Sequence, residues 1–125
     1  MNFDLSEEQE MFCASVERFA APIDVEARRK LRASPTGYDK ERWQTLAELG
    51  LIALAASEEA GGMGGSPVDL ALVHEAIGKA NAPDPLLEHG VLPALLLKGH
   101  DALESVLSGE SIASFAWAER ARRHS

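Results

Sequence analysis

The sequence predicts an all-α fold, an up-and-down bundle of about five or six helices, and three observations support this prediction. The 125-residue chain is 46% hydrophobic but only 6% aromatic, so alanine and leucine must fill most of the core. Both residues are strong helix formers, whereas the β-branched residues that favour strands are sparse. Apolar residues also recur at helical spacing between capping residues and turns. The length is sufficient for one domain with one core.

The first helix starts with a capping box, because Gln9 follows Ser6 at a distance of three residues. Its apolar stripe then recurs at helical spacing, at Phe12, Val16 and Phe19. We therefore expect a helix that begins at Ser6 and buries this stripe.

A second and a third helix follow in the first half of the chain. Pro22 interrupts the first helix, and residues 23–31 can form the second. Asp39 can cap the third helix, which buries Trp43 and ends where Gly50 adopts a left-handed conformation.

The second half contains further helices with clear boundaries. Ser66 is a capping residue and Pro67 suits the first helical position, so a helix starts there, with apolar residues on most of its sides. Residues 84–99 predict another helix, with a kink at Pro93. A short helix over residues 102–107 completes the bundle.

The end of the chain differs from the rest. Residues 112–117 alternate weakly between apolar and polar, with Phe115 and Trp117 on one face. This pattern predicts a short strand that has no partner strand in the chain and therefore has unpaired backbone groups. We expect Ile112, Phe115 and Trp117 to be exposed and to favour self-association.

Charge and cysteine content exclude several classes of protein. The chain has 12 basic and 20 acidic side chains, a net charge of −8, which disfavours binding to nucleic acid or to anionic lipid. Cys13 is the single cysteine, so no internal disulfide can form, as is usual in a reducing compartment. No signal peptide or long apolar run is evident. We therefore expect a cytoplasmic protein with no nucleic-acid or membrane partner.

The most informative motif is a glycine-rich stretch, residues 58–65, called the glycine loop below. Its glycines are Gly61, Gly62, Gly64 and Gly65. A Walker loop would need a lysine after its last glycine, and a dinucleotide fingerprint that started at Gly62 would need glycine where Pro67 stands. The loop is therefore better interpreted as a tight turn between helices, with a backbone that needs positive φ.

Few residues suggest chemistry. The histidines lie at positions 74, 89, 100 and 124, without the spacing of a chelating pair, so we predict no metal site. Glu75 lies in a largely apolar helix and is either a tuned acid or base or, more often, a residue that pairs with a neighbouring cation or caps a nearby backbone. The residues alone therefore identify no catalytic group.

Taken in order, five blocks resemble the N-terminal domain of the acyl-CoA dehydrogenase family, and the similarity covers essentially the whole chain. The blocks are FxLSxEQ at 3–9, WxxLAELGL at 43–51, ExGGxG at 59–64, LVxExIG at 72–78, and GE followed by FAWAE between 109 and 119. The resemblance implies a helical domain over residues 1–111 and, at 112–125, the start of a middle β-domain.

Enzymes of that family use FAD to oxidise the Cα–Cβ bond of an acyl-CoA thioester. The resemblance implies that the catalytic glutamate and most flavin contacts belong to domains that this chain does not contain. We therefore expect the chain to help wall the acyl pocket, to have no catalytic residue, and to be inactive and without bound FAD when alone. It also implies a homo- or hetero-oligomer.

The resemblance places three residues near the flavin, namely Phe115, Trp117 and Ala118. The family usually has threonine where Ala118 stands, so the hydroxyl that faces the flavin is missing. Arg120 also replaces the usual proline after the glutamate. Similar departures occur in partner subunits with weakened flavin sites. Two alternatives therefore stay open: a non-catalytic partner subunit of a hetero-oligomeric enzyme, and a free-standing helical interaction module.

Overall fold

The computed structural model describes residues 4–116 of the chain. This part forms six α-helices: α1 Glu7–Phe19, α2 Val25–Ala33, α3 Lys40–Glu48, α4 Pro67–Lys79, α5 Leu92–Leu96 and α6 Leu103–Leu107. A 3₁₀ turn at Glu58–Ala60 precedes α4, and a π turn at Leu87–Val91 precedes α5. The predicted all-α fold is confirmed.

Helix α1 begins with the predicted capping box. The Ser6 hydroxyl accepts from the Gln9 backbone N–H at 3.2 Å, and the Gln9 side chain accepts from the Ser6 backbone N–H at 3.1 Å. Val16 is fully buried, while Phe12 and Phe19 pack partly buried against the core. This face holds α1 against α4.

Capping residues set the starts of α2 and α3, and α2 spans Val25–Ala33 where residues 23–31 were predicted. Helix α1 ends before Pro22, and α2 begins after Asp24, whose carboxylate accepts from the Ala27 N–H at 2.9 Å. Asp39 caps α3 through the N–H groups of its first turn, and Gly50 has a φ of 76°. The helix breaks predicted at Pro22 and Gly50 are confirmed.

The core is aliphatic and surrounds Trp43, which is 2% exposed and meets Tyr38 edge-on at 6.3 Å between ring centroids. Its largest other buried side chains come from four of the helices, the segment after α3 and the residue just before the π turn: Val16, Leu46, Leu51, Ile52, Val73, Leu86 and Val106. Alanine and leucine therefore do fill much of the core, together with valine and isoleucine.

The helix predicted over residues 84–99 is shorter than predicted. It consists of a π turn followed by the α-helix α5. Its first half is the π turn, in which the Leu92 N–H donates to the Leu87 carbonyl five residues before it. Pro93 has no N–H to donate, and its ring crowds the turn before it. A wider π turn relieves that crowding, so the predicted kink takes this form.

Residues 112–116, called the exit segment below, have no regular secondary structure. The strand predicted there is not formed, and residues 4–116 contain no other strand that would pair with it. Trp117 lies outside the described residues. Within the described chain, no helix has the length and apolar character needed to cross a membrane.

Candidate functional site

The exit segment is held against the helical domain by His89, which lies in the π turn. The Nδ1 atom of His89 is 2.9 Å from the Ala113 carbonyl oxygen and 3.1 Å from the Ser114 hydroxyl oxygen. Ala113 also packs against the hydrophobic core. These contacts determine where the chain leaves the bundle.

On either side of this contact the exit segment presents apolar side chains at the surface. Phe115 is 51% exposed and Ile112 is 39% exposed. A cleft of about 420 Å³ separates Ile112 and Ser114 from residues 36–38, Pro83 and Pro85. Of the three predicted flavin-proximal residues, only Phe115 lies in the described chain; Trp117 and Ala118 lie outside it.

Most backbone N–H groups of the glycine loop are already used within the chain. Those of residues 61–65 donate, in order, to the carbonyls of Glu58, Ser57, Ala53, Ala56 and Leu54, at 2.7–3.0 Å. A phosphate cradle needs such N–H groups to be free and convergent. The glycine loop is therefore a structural turn, as the sequence predicted.

Two different requirements explain the four glycines of this loop. Gly61 and Gly64 have φ values of 88° and 62°, which side chains rarely adopt. A Cβ atom on Gly62 would overlap the Ala56 carbonyl, and one on Gly65 would lie 2.8 Å from the Leu54 carbonyl oxygen. The positive φ prediction is confirmed at the first two positions, whereas the other two glycines permit close backbone packing.

Glu75 is a structural residue in this chain. Its carboxylate lies 2.8 Å from the Lys79 Nζ atom, one turn along α4, and its side chain is 58% exposed. The hydrogen bond from Lys79 and its positive charge lower the pKa of Glu75. A carboxyl with a lowered pKa stays ionised at neutral pH, so the geometry favours the cation-partner interpretation over a general acid.

The other reactive side chains have structural roles or stay separate. The His74 Nδ1 atom lies 2.8 Å from the Leu70 carbonyl oxygen, and the His100 Nδ1 atom accepts from the Ala102 N–H at 3.0 Å. Within residues 4–116, no group of three or more histidine, cysteine or acidic side chains is arranged to hold a metal ion.

Cys13 is half-buried and is not placed as a nucleophile. Burial, followed by the negative charge of Glu17 and then of Glu75, raises the pKa of its thiol. Because the thiolate is the reactive form, a raised pKa makes the thiol less reactive at neutral pH. Its position in α1 fits a packing role.

Sequence reasoning missed two features of this region. The first is the contact of His89 with the exit segment, since its partners lie 24 and 25 residues further along the chain. The second is an exposed α5 leucine face, formed by Leu92, Leu95 and Leu96, which are 37%, 46% and 60% exposed. The run of leucines was a visible signal, but the sequence did not show which of them face outward.

Comparison with known proteins adds a family match. The profile of the family described as "Acyl-CoA dehydrogenase, N-terminal domain" matches residues 6–106. A variant of the "Tcur3481-Tcur3483 steroid ACAD" is a similar solved structure, with a TM-score of 0.71 and 26% identity. The alignment covers 86% of this chain and 32% of that one.

Two curated relatives carry related names. "Acyl-CoA dehydrogenase IpdE2" of Mycolicibacterium smegmatis is 41% identical over 115 residues, which cover 86% of this chain and 36% of that protein. "Probable acyl-CoA dehydrogenase YngJ" of Bacillus subtilis is 36% identical over 81 residues, 64% of this chain and 21% of that protein. The chain thus spans about a third of the first relative and about a fifth of the second.

Proposed function

Because the chain belongs to the acyl-CoA dehydrogenase family, as its N-terminal domain, we propose that it serves the FAD-dependent oxidation of an acyl-CoA thioester at its Cα–Cβ bond. The observation that carries this proposal is the family match over residues 6–106. In this proposal residues 1–111 are the helical domain and residues 112–125 begin a middle β-domain. The chain acts in the cytoplasm as part of an oligomer and is inactive alone.

The described residues fit one edge of a flavin site. When bound, FAD supplies the acceptor for the hydride that leaves Cβ. Phe115 offers a half-exposed aromatic ring close to the point where the chain leaves the bundle. The N–H groups of residues 61–65 in the glycine loop already have acceptors within the chain, so in this proposal other domains hold the phosphates. Trp117 and Ala118 would continue the edge that Phe115 begins.

The α5 leucine face is our candidate for the wall of the acyl pocket. Its three side chains lie at helical spacing on one side of α5 and are 37–60% exposed. An apolar face of this kind suits an acyl chain, because ligand pockets are lined mainly by hydrophobic side chains. Helix α5 directly follows the π turn, and the π turn holds the exit segment through His89. In this proposal the α5 leucine face and the flavin edge at Phe115 are therefore next to the same turn.

A second candidate is a non-catalytic subunit that completes the site of a partner polypeptide. The missing hydroxyl at Ala118 and the cation at Arg120 favour it. The solved relative is also named by two joined designations. In this reading the chain would bind flavin only together with its partner.

An absorbance spectrum tests the proposal. The natural polypeptide that contains these residues is purified alone and with any co-purifying partner, and acyl-CoA is added without oxygen. We expect a flavin spectrum that acyl-CoA bleaches. Flavin that appears only with the partner supports the second candidate. A complete absence of flavin from both preparations overturns the proposal.

A substitution tests the acyl wall separately. Leu96→Glu should raise the KM for acyl-CoA about tenfold or more, because a leucine in contact with substrate contributes about 1.5–3 kcal/mol. Val68→Glu is the control, since Val68 is similarly exposed, at 54%, but lies on α4. Equal KM values for the two variants, at unchanged flavin content, would exclude α5 as the wall.

A further inference from the structure

We propose that His89 is a positioning residue that fixes the exit segment on the helical domain and thereby sets where Phe115 is presented to the flavin. This inference rests on the proposed function. Among the described residues, both hydrogen bonds made by residues 112–116 end on the Nδ1 atom of His89. One side chain therefore accepts or donates both hydrogen bonds that hold this part of the chain.

The two contacts determine which nitrogen of His89 carries a proton. The Ala113 carbonyl oxygen can only accept, and it lies 2.9 Å from Nδ1. A bare Nδ1 lone pair at that distance would repel the carbonyl oxygen. A protonated Nδ1 instead donates to the carbonyl and has the Ser114 hydroxyl oxygen, 3.1 Å away, as a second acceptor. We therefore assign the proton to Nδ1.

The backbone beside His89 is itself set by the core. Gly90 is buried, and a Cβ atom there would lie 3.3 Å from the Trp43 Cη2 atom and 3.3 Å from the Leu86 Cδ1 atom. The π turn thus packs directly on Trp43, which is 2% exposed. Because close-packed interiors deform little, the core determines where the imidazole of His89 can lie.

Phe115 is only two residues beyond Ala113. An extended chain advances about 3.3–3.6 Å per residue, so the Phe115 backbone stays within roughly 7 Å of the held carbonyl. Without the contact, Ala113 would be held mainly by the packing of one methyl group, while Ile112 and Phe115 are exposed. Loss of the His89 hydrogen bonds should therefore release the whole exit segment.

Backbone NMR relaxation on the full 125-residue chain tests this contact without any flavin. We expect order parameters near 0.85 for residues 113–116 in the parent chain and below about 0.6 in His89→Leu. His89→Asn places an amide N–H near the position of Nδ1 and should restore the order. A nitrogen-detected spectrum of the imidazole should show the proton on Nδ1.

The control is His100→Leu, which removes an exposed histidine whose partner is the Ala102 N–H and not the exit segment. It should leave residues 113–116 ordered. Equal order in His89→Leu and in the parent chain would overturn the inference. Unchanged amide shifts in α1 and α4 show that each variant is folded.

The link to the flavin is tested in the assembled protein. His89→Leu should lower kcat/KM about 10- to 100-fold, as small misplacements of positioned groups do, and it should shift the flavin absorbance band, while His89→Asn restores both. A disordered exit segment with an unchanged flavin band and rate would overturn the positioning role and leave the proposed function intact. If the assembled protein lacks flavin, the proposed function fails, and the NMR result still decides the contact.

Discussion

Arg42 on α3 and Asp84, which lies between the cleft residues Pro83 and Pro85, form a two-pronged ion pair. The Nη2 atom of Arg42 lies 2.7 Å from Oδ2 of Asp84, and its Nε atom lies 3.1 Å from Oδ1. The Asp84 side chain is 4% exposed and the Arg42 side chain 20%. The guanidinium also lies 4.4 Å from the ring centroid of Phe19. Arg42 thus joins α1, α3 and the segment that leads to His89.

Breaking this pair from one side should strongly destabilise the fold. Arg42→Leu leaves the Asp84 carboxylate buried without a counter-charge, which typically costs about 3–5 kcal/mol in free energy of unfolding. In the double variant Arg42→Leu with Asp84→Leu no unpaired charge stays buried. Its free energy of unfolding should therefore fall less than that of the single variant. Urea unfolding of the parent and the variants measures these differences.

The matched control is Arg29→Leu. Arg29 pairs with Glu26 at 2.7 Å, but both side chains are about 70% exposed. Exposed ion pairs contribute no more than about 1 kcal/mol to stability, so the urea midpoint of Arg29→Leu should stay close to that of the parent chain. If Arg42→Leu cost no more than Arg29→Leu, the burial of the first pair would have no energetic consequence.

Alanine substitutions at two glycines should have opposite effects. In Gly62→Ala the new Cβ atom overlaps the Ala56 carbonyl, so we expect a loss of about 2 kcal/mol or more from overpacking. In Gly78→Ala the new methyl meets nothing within 4 Å and lies in α4. The free energy of unfolding of that variant should rise by about 0.5 kcal/mol, because alanine lowers the backbone entropy of the unfolded chain. Thermal unfolding checks both, and a destabilised Gly78→Ala variant would contradict the argument.

Asp69 should make stability depend on pH at the acid end. The Ser66 backbone N–H, then the Gln9 amide, then the Ser66 hydroxyl donate to its carboxylate and lower its pKa. A carboxyl with a lowered folded pKa adds stability that is present above the unfolded value, near 3.8, and is lost as pH falls through the folded value. Asp69→Asn should therefore cost about 0.5–1 kcal/mol at neutral pH and almost nothing well below the folded pKa.

Urea midpoints of the parent chain and Asp69→Asn, measured from neutral to strongly acidic pH, check this dependence. Glu110→Gln is the control for the lost charge, because it removes one negative charge at an exposed site. A difference between parent and Asp69→Asn that persists undiminished in acid would show that the carboxylate charge is not its source.

The features that sequence reasoning predicted here are local ones. The Ser6 capping box, the Asp39 cap and the turn at Gly50 each depend on residues within four positions of one another, and each is present. The position of the His89 imidazole depends instead on Gly90 against Trp43, which are 47 positions apart in the numbering. No local pattern encodes that distance, so the His89 contact was missed although Phe115 and the family were recognised.

By itself the sequence determined the helical class, most helix boundaries, the structural nature of the glycine loop and the resemblance to one family. These depend on backbone propensity, capping and turn chemistry, which act over a few residues. The tertiary structure decided that His89 holds the exit segment, that Arg42 meets Asp84, and that the α5 leucine face points outward. Those relationships arise when separate helices pack around Trp43, because packing brings together residues that no spacing in the chain connects.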